Sequence, residues 1–207
     1  DDGLRPLHAN LRPEDYCLFL FEYTSHRDYT YSETNSLISN LKKSPSKRGR
    51  PEWRHKLRAI KTCAACFKQA LRDEWLDTAT LIPMPGSKAE GDAEYDPRME
   101  QVCAAILDGL DVRHLLKQGQ STAAAHELDD AERPTIDQLV SNYEIDEDLV
   151  DPAPTTIGVF DDVITAGTHY RAAHRVLSER FPGVPIVGIF VARRVFPPDD
   201  PDAPSPF

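Results

Sequence analysis

Thirteen consecutive residues, Thr156 to Thr168, constrain the fold of this 207-residue chain more tightly than any other stretch. Thr155 to Phe160 reads as a buried strand that ends in two acids, Asp161 and Asp162, and Thr165-Ala166-Gly167-Thr168 is a loop of small residues. From Thr168 a helix runs through Ala172, Ala173, Val176 and Leu177 to Phe181. Each part also has a chemical use. The loop brings backbone N–H groups and two hydroxyls to a helix N-terminus, where the helix dipole favours an anion such as phosphate. Gly167 lets the backbone approach a ligand closely. Adjacent carboxylates can accept hydrogen bonds from vicinal sugar hydroxyls, or from waters on a magnesium ion. A phosphorylated sugar satisfies both halves.

The rest of the chain supplies the neighbours such a unit needs. Tyr16 to Tyr23 is rich in β-compatible residues, and the turn signal Ser25-His26-Arg27-Asp28 after it predicts a hairpin. Ser32 or Thr34 caps a short helix through Leu37, Ile38 and Leu41. Trp53, Leu57, Ile60, Ala64, Phe67 and Leu71 recur at helical steps and predict a helix from about Glu52 to Arg72. Thr80 to Pro85 is a strand leading into Gly86-Ser87-Lys88. Asp96-Pro97 reads as the N-cap and first position of a helix ending near Gly109. A short strand at Val112 to Leu116, a mobile polar stretch from Gln118 to Ala131 and a short helix opened by Pro134 follow. The acidic stretch on to Pro154 reads as a surface connection, and Pro185 to Val191 as a further buried strand. This alternation predicts an α/β fold with a mainly parallel central sheet flanked by helices and ligands bound at the carboxyl ends of the strands. The expected division is an N-terminal hairpin and basic helical region over 1–75, a core over 76–195, and a disordered acidic, Pro-rich tail over 196–207.

Charge narrows the partners. The chain carries a formal net charge of −10, which disfavours nucleic acid and anionic membrane surfaces. Lys42 to Arg72 breaks the trend with eleven basic residues against Glu52 alone, leaving the remainder near −20. With aromatic interleaving limited to Trp53 and Phe67, this segment reads as a solvated helix face able to steer a polyanion, ahead of a nucleic-acid surface. The longest apolar runs, Cys17 to Phe21 and Val187 to Ala192, fall short of the roughly 18 residues of a membrane span. The Cys63-Ala64-Ala65-Cys66 spacing invites a metal, but zinc needs about four ligands and only Cys17 and Cys103 remain, on separate elements. Four cysteines and no legible leader lead us to expect a cytoplasmic protein with reduced thiols.

The stretch Asp161-Asp162-Val163-Ile164-Thr165-Ala166-Gly167-Thr168 after an apolar strand resembles the signature of the type I phosphoribosyltransferases. The order of elements is most similar to a divergent ComF-like branch: a basic helical lead-in, the strand Leu81-Ile82-Pro83-Met84-Pro85, a loop bearing Gln120, Leu128 and Arg133, then the signature. The resemblance spans roughly Leu37 to Arg194 and is strongest at the signature. It implies a type I phosphoribosyltransferase-like fold with a small N-terminal hood. It also implies a magnesium-dependent enzyme that binds phosphoribosyl pyrophosphate and transfers ribose 5-phosphate to an unidentified acceptor, releasing pyrophosphate. Asp161 and Asp162 would then hold the ribose hydroxyls and place magnesium through water, while Thr165, Ala166, Gly167 and Thr168 cradle the 5-phosphate. Pro85, Gly86, Ser87 and Lys88 would form the pyrophosphate loop, with Lys88, Arg98 and Lys117 meeting the departing charge and the Gln118 to Arg133 segment closing over the site.

The chain departs from the family in three places. Ala166 stands where many members carry a hydroxyl, and no Cys-x-x-Cys zinc module precedes Lys42. Tyr95-Asp96-Pro97-Arg98-Met99 replaces the usual Arg-Gly-Phe-Asn stretch, with Arg98 its counterpart. Two other classes share these features: a sugar-phosphate sensor without turnover, and a nucleic-acid accessory protein using residues 42–72. The acceptor would meet a hood built from the N-terminal region and the chain end, with Phe19, Phe21, Tyr29, Tyr31 and Phe196 as candidate stackers. An exposed apolar hairpin there would suit a homodimer.

Overall fold

The computed structural model describes residues 7–122 and 133–197; Leu128 and the tail from 198 lie outside the described residues. Its centre is a four-stranded, all-parallel sheet of β1 (Tyr16–Thr24), β2 (Thr80–Pro83), β5 (Ile157–Ile164) and β6 (Ile186–Val195), in the order β1-β6-β5-β2. Such a sheet needs cover on both faces, and two apolar clusters provide it. On one face lie α1 (Glu33–Leu41), α2 (Trp53–Ala70) and α4 (Arg98–Ala104), packed around Phe67, Phe160 and Leu81. The other face carries α5 (Ile136–Asn142) and α6 (Thr168–Arg180), packed on Ile157, Val159 and Phe190. A separate antiparallel pair, β3 (Leu116–Gln118) with β4 (Tyr143–Ile145), stands beside the main sheet. Among the described residues no helix is long and apolar enough to cross a membrane.

The expected hairpin near the N-terminus is replaced by a single strand. β1 pairs in parallel with β6 from Tyr16↔Val187 to Thr24↔Val195, because a nine-residue strand rich in aromatic and aliphatic residues gains more from a long central partner than from folding on itself. It is an edge strand, with Tyr16, Leu18 and Phe19 exposed. The N-terminal residues thus supply an edge strand, β1, and helices α1 and α2 to the same layers as the rest. The small helix α3 (Asp73–Leu76), absent from the sequence reading, brings Trp75 against Gly158, where a Cβ would lie 2.7 Å from the indole.

The helix expected over Glu52 to Arg72 is present, and Ile60, Ala64 and Phe67 of its expected stripe are buried, joined by Lys56, Ala59 and Cys63, while Leu57 is 47% exposed. The expected strand from Val112 shrinks to one parallel bridge, Leu81↔Val112, and regular pairing begins only at Leu116. The acidic connection toward Pro154 contains β4, which pairs with β3. β5 runs on through both acids to Ile164.

The helix after β2 lies on one face of the sheet and the helix after β5 on the other. Neighbouring parallel strands whose connections leave in opposite directions open a crevice at their carboxyl ends. The candidate residues cluster there.

Candidate functional site

The loop at the end of β5 is built from the backbone. Gly167 occupies the N-cap of α6 with φ +88°, a left-handed conformation that side chains resist. Its missing side chain is also filled space, since a Cβ there would sit 2.8 Å from Leu11. Residues 8–11 brace this loop. His8 Nδ1 contacts the carbonyl of Thr165, the Asn10 N–H donates to the carbonyl of Ala166 at 2.9 Å, and Asn10 Nδ2 donates to Thr168 Oγ1 at 2.9 Å. A trans peptide sets its N–H opposite its carbonyl, so the N–H groups of Ala166 and Gly167 point away from this brace. The first N–H groups of a helix have no partner within it, so the start of α6 adds further donors to this loop.

The acids are held differently. Successive side chains of a strand leave on opposite faces, so Asp161 and Asp162 diverge. Asp162 is buried on the α2 side and takes Lys42 Nζ at 3.0 Å on Oδ1, with Arg98 Nε at 2.8 Å and Nη2 at 2.7 Å on Oδ2. Arg98 Nη1 continues to Asp96 at 3.1 Å, and Asp96 accepts from Lys56 Nζ at 2.7 Å. Lys56, only 1% exposed, also donates to the carbonyls of Leu41 and Lys43 at 2.7 and 2.9 Å, closing the end of α1. Five alternating charges therefore tie α1, α2, α4 and β5 together. Asp96 is consequently not the helix cap expected from Asp96-Pro97; Pro97 holds the cap position, because two cations bind the carboxylate more strongly than two amides.

Burial and the neighbouring Asp162 push Asp161 up to about 7. Burial acts in the same direction on Asp162, but Lys42 and Arg98 outweigh it and hold that carboxyl below the usual range. His169 in the first turn of α6 accepts or donates at Nδ1 with the Tyr143 hydroxyl at 2.9 Å. Burial lowers the His169 pKa, Asp162 opposes this and Lys42 reinforces it. The Lys42 charge thus acts on Asp161, Asp162 and His169 together.

The sequence-derived residues fall into three groups. Asp161, Asp162, Arg98 and Thr165 to Thr168 gather at the crevice, and Gly86 joins them, since a Cβ on it would lie 4.0 Å from Arg98 Nη1. Pro85, Ser87 and Lys88 belong to the same loop, yet Lys88 donates to the Thr122 carbonyl at 2.9 Å and Ser87 accepts from the Thr122 N–H at 2.7 Å. Lys117 pairs with Asp146 at 2.6 Å. The first described residues of the expected closing segment are thereby stitched to the loop after β2. No family model matches this chain, and comparison with curated proteins gives no match either.

The acid pair does not fit a directly ligated magnesium ion. Both Asp162 oxygens carry cations and Asp96 is bound by Lys56 and Arg98, and among the described residues no three His, Cys, Asp or Glu are grouped to hold a metal, so these acids would meet a magnesium ion through water, as the resemblance implies, and not as direct ligands. The Cys63 thiol is pushed up to about 12 by burial and is a packing group. Of the candidate stackers, Phe19 lies under Arg193 at 4.9 Å, Phe196 under Arg194 at 4.7 Å, and Phe21 lines a groove of about 430 Å³ between α1 and α2.

Sequence reasoning missed Lys42, Lys56, His8, Asn10 and Tyr143. Two of these left a signal: Lys42 opens the basic segment read as able to steer a polyanion, and Lys56 lies on the stripe Lys56, Ile60, Cys63, Phe67, where a charged residue must find partners if the stripe is buried.

Proposed function

We propose that this protein is a phosphoribosyltransferase that binds phosphoribosyl pyrophosphate across the β2–β5 crevice. The observation that carries the reading is the Thr165–Thr168 loop, braced from behind by His8 and Asn10 so that its amides point away from the brace, at the start of α6 and beside Asp161. That arrangement suits a 5-phosphate on the loop and ribose hydroxyls on Asp161, with the diphosphate directed toward Gly86 and Arg98. In the transfer, the bond from the anomeric carbon to the diphosphate oxygen breaks and the leaving group takes the electron pair. The acceptor's nucleophilic atom forms the new bond and gives its proton to solvent. The chain contributes fixed charges and dipoles rather than a covalent intermediate.

The test is calorimetric titration of the protein with phosphoribosyl pyrophosphate, ribose 5-phosphate and inorganic pyrophosphate. Tighter binding of the first than of either fragment, weakened at least tenfold by Asp161→Asn, is expected. A folded protein that binds none of the three overturns the reading. Pyrophosphate release in a screen of nucleobase acceptors then separates an enzyme from a sensor that holds the same ligand.

A further inference from the structure

Lys42 closes α1, and its ammonium lies 3.0 Å from one oxygen of Asp162 while Arg98 occupies the other. An acid pair alone would present two negative charges and attract a dication. Here Lys42, Arg98 and Lys56 match Asp161, Asp162 and Asp96 in number, so the cluster as a whole offers a dication no net negative charge. A dication seated on Asp162 would have to displace Lys42 or stand against it. Arg98 is held by Asp162 and Asp96, which take three of its five N–H groups, so its charge is fixed in place and its freedom to reorient toward a ligand is small. Lys42 differs: its side chain is 36% exposed, and an ammonium has three donors, of which Asp162 takes one. The remaining donors are available to an anion in the crevice.

We infer that Lys42 supplies, from the protein itself, the charge compensation for the ligand's diphosphate, so that binding at this site does not require a divalent cation. The inference rests on the phosphoribosyl reading above and concerns how that same site recognises its ligand. Lys42 is a ligand-binding residue contributed by the N-terminal helices, and Arg98 a positioning residue that keeps Asp162 compensated when Lys42 turns to the ligand.

Calorimetric titration with phosphoribosyl pyrophosphate, in excess EDTA and in excess magnesium, tests this on the wild type and Lys42→Met. Expected are wild-type affinities within about threefold of one another, and a loss of at least tenfold in Lys42→Met in EDTA that magnesium largely restores. Urea unfolding confirms that the variant is folded, and Lys42→Arg, which keeps the charge, should bind in EDTA. Wild-type binding that appears only with magnesium overturns the inference and leaves the phosphoribosyl reading standing. An equal loss in Lys42→Met under both conditions also overturns it, since the lysine would then not replace the metal. Absence of binding by the wild type under both conditions removes the reading and this inference with it.

Discussion

The two halves of the crevice reach the same place by different means. On the α6 side, the Thr165–Thr168 loop is made of backbone: a left-handed glycine, amides at a helix start and carbonyls tied to residues 8–11. On the α2 side, Asp162 is one member of a chain of charges running through Lys42, Arg98, Asp96 and Lys56. Local sequence nearly suffices for the first, because four consecutive residues set its shape. The second draws on four separate elements and exists only once they are packed. A backbone site tolerates side-chain change and resists a Cβ; a buried charge network does the opposite.

That contrast can be broken most directly at Asp162. Asp162→Asn leaves Lys42 and Arg98 facing a neutral group, and we expect a loss of about 2 to 3 kcal/mol in urea unfolding, at the low end for a buried pair because Lys42 reaches solvent. A loss below about 0.5 kcal/mol would mean that the network does not act as a unit. This contribution has a pH window. Asp162 binds its proton less readily folded than unfolded, so its stabilisation is complete above about pH 4 and is lost as pH falls below that. The penalty of Asp162→Asn should therefore shrink at pH 3.

Gly167→Ala attacks the other half. It forces an L-residue to φ +88° against Leu11, costing about 1 to 2 kcal/mol, and should abolish binding of the phosphorylated ligand while leaving the Asp162 network intact. An ordinary affinity for ribose 5-phosphate in that variant would show that the loop does not hold the phosphate.

Asp161 sharpens the comparison by acting with the opposite sign to its neighbour. Its folded pKa is raised to about 7, so between about pH 4 and 7 the folded state holds more protons and stability declines as pH rises through that window. Asp161→Asn should accordingly stabilise the protein, more at pH 8 than at pH 5, as read from urea midpoints. The smallest effect expected is that of Asn10→Ala. Loss of its side-chain bond to Thr168 should cost about 1 kcal/mol or less and weaken ligand binding a few-fold, without altering the magnesium response.

How far the sequence reached follows from the range of the interactions involved. Patterning over Trp53–Ala70, Thr80–Pro83, Thr168–Arg180 and Ile186–Val195 was enough for a helix or strand at each, because periodicity reports local burial. Gly167 and its flanking small residues could be read as a loop entering a helix for the same reason. The single strand at Tyr16–Thr24 could not, since a hairpin and a long parallel partner make the same demand on an apolar run and only β6 decides between them. Nor could the bracing of the loop by His8 and Asn10, or the capture of Asp162 by Lys42 and Arg98, which join residues 64 to 158 positions apart in the chain. Sequence by itself determined the strongly patterned elements, α2, β2, α6 and β6, and the backbone form of the loop, each set within a local stretch. Tertiary structure decided which charges face the two acids, because a buried carboxylate takes whichever cations the packed helices bring within about 3 Å, and that choice leaves no local trace.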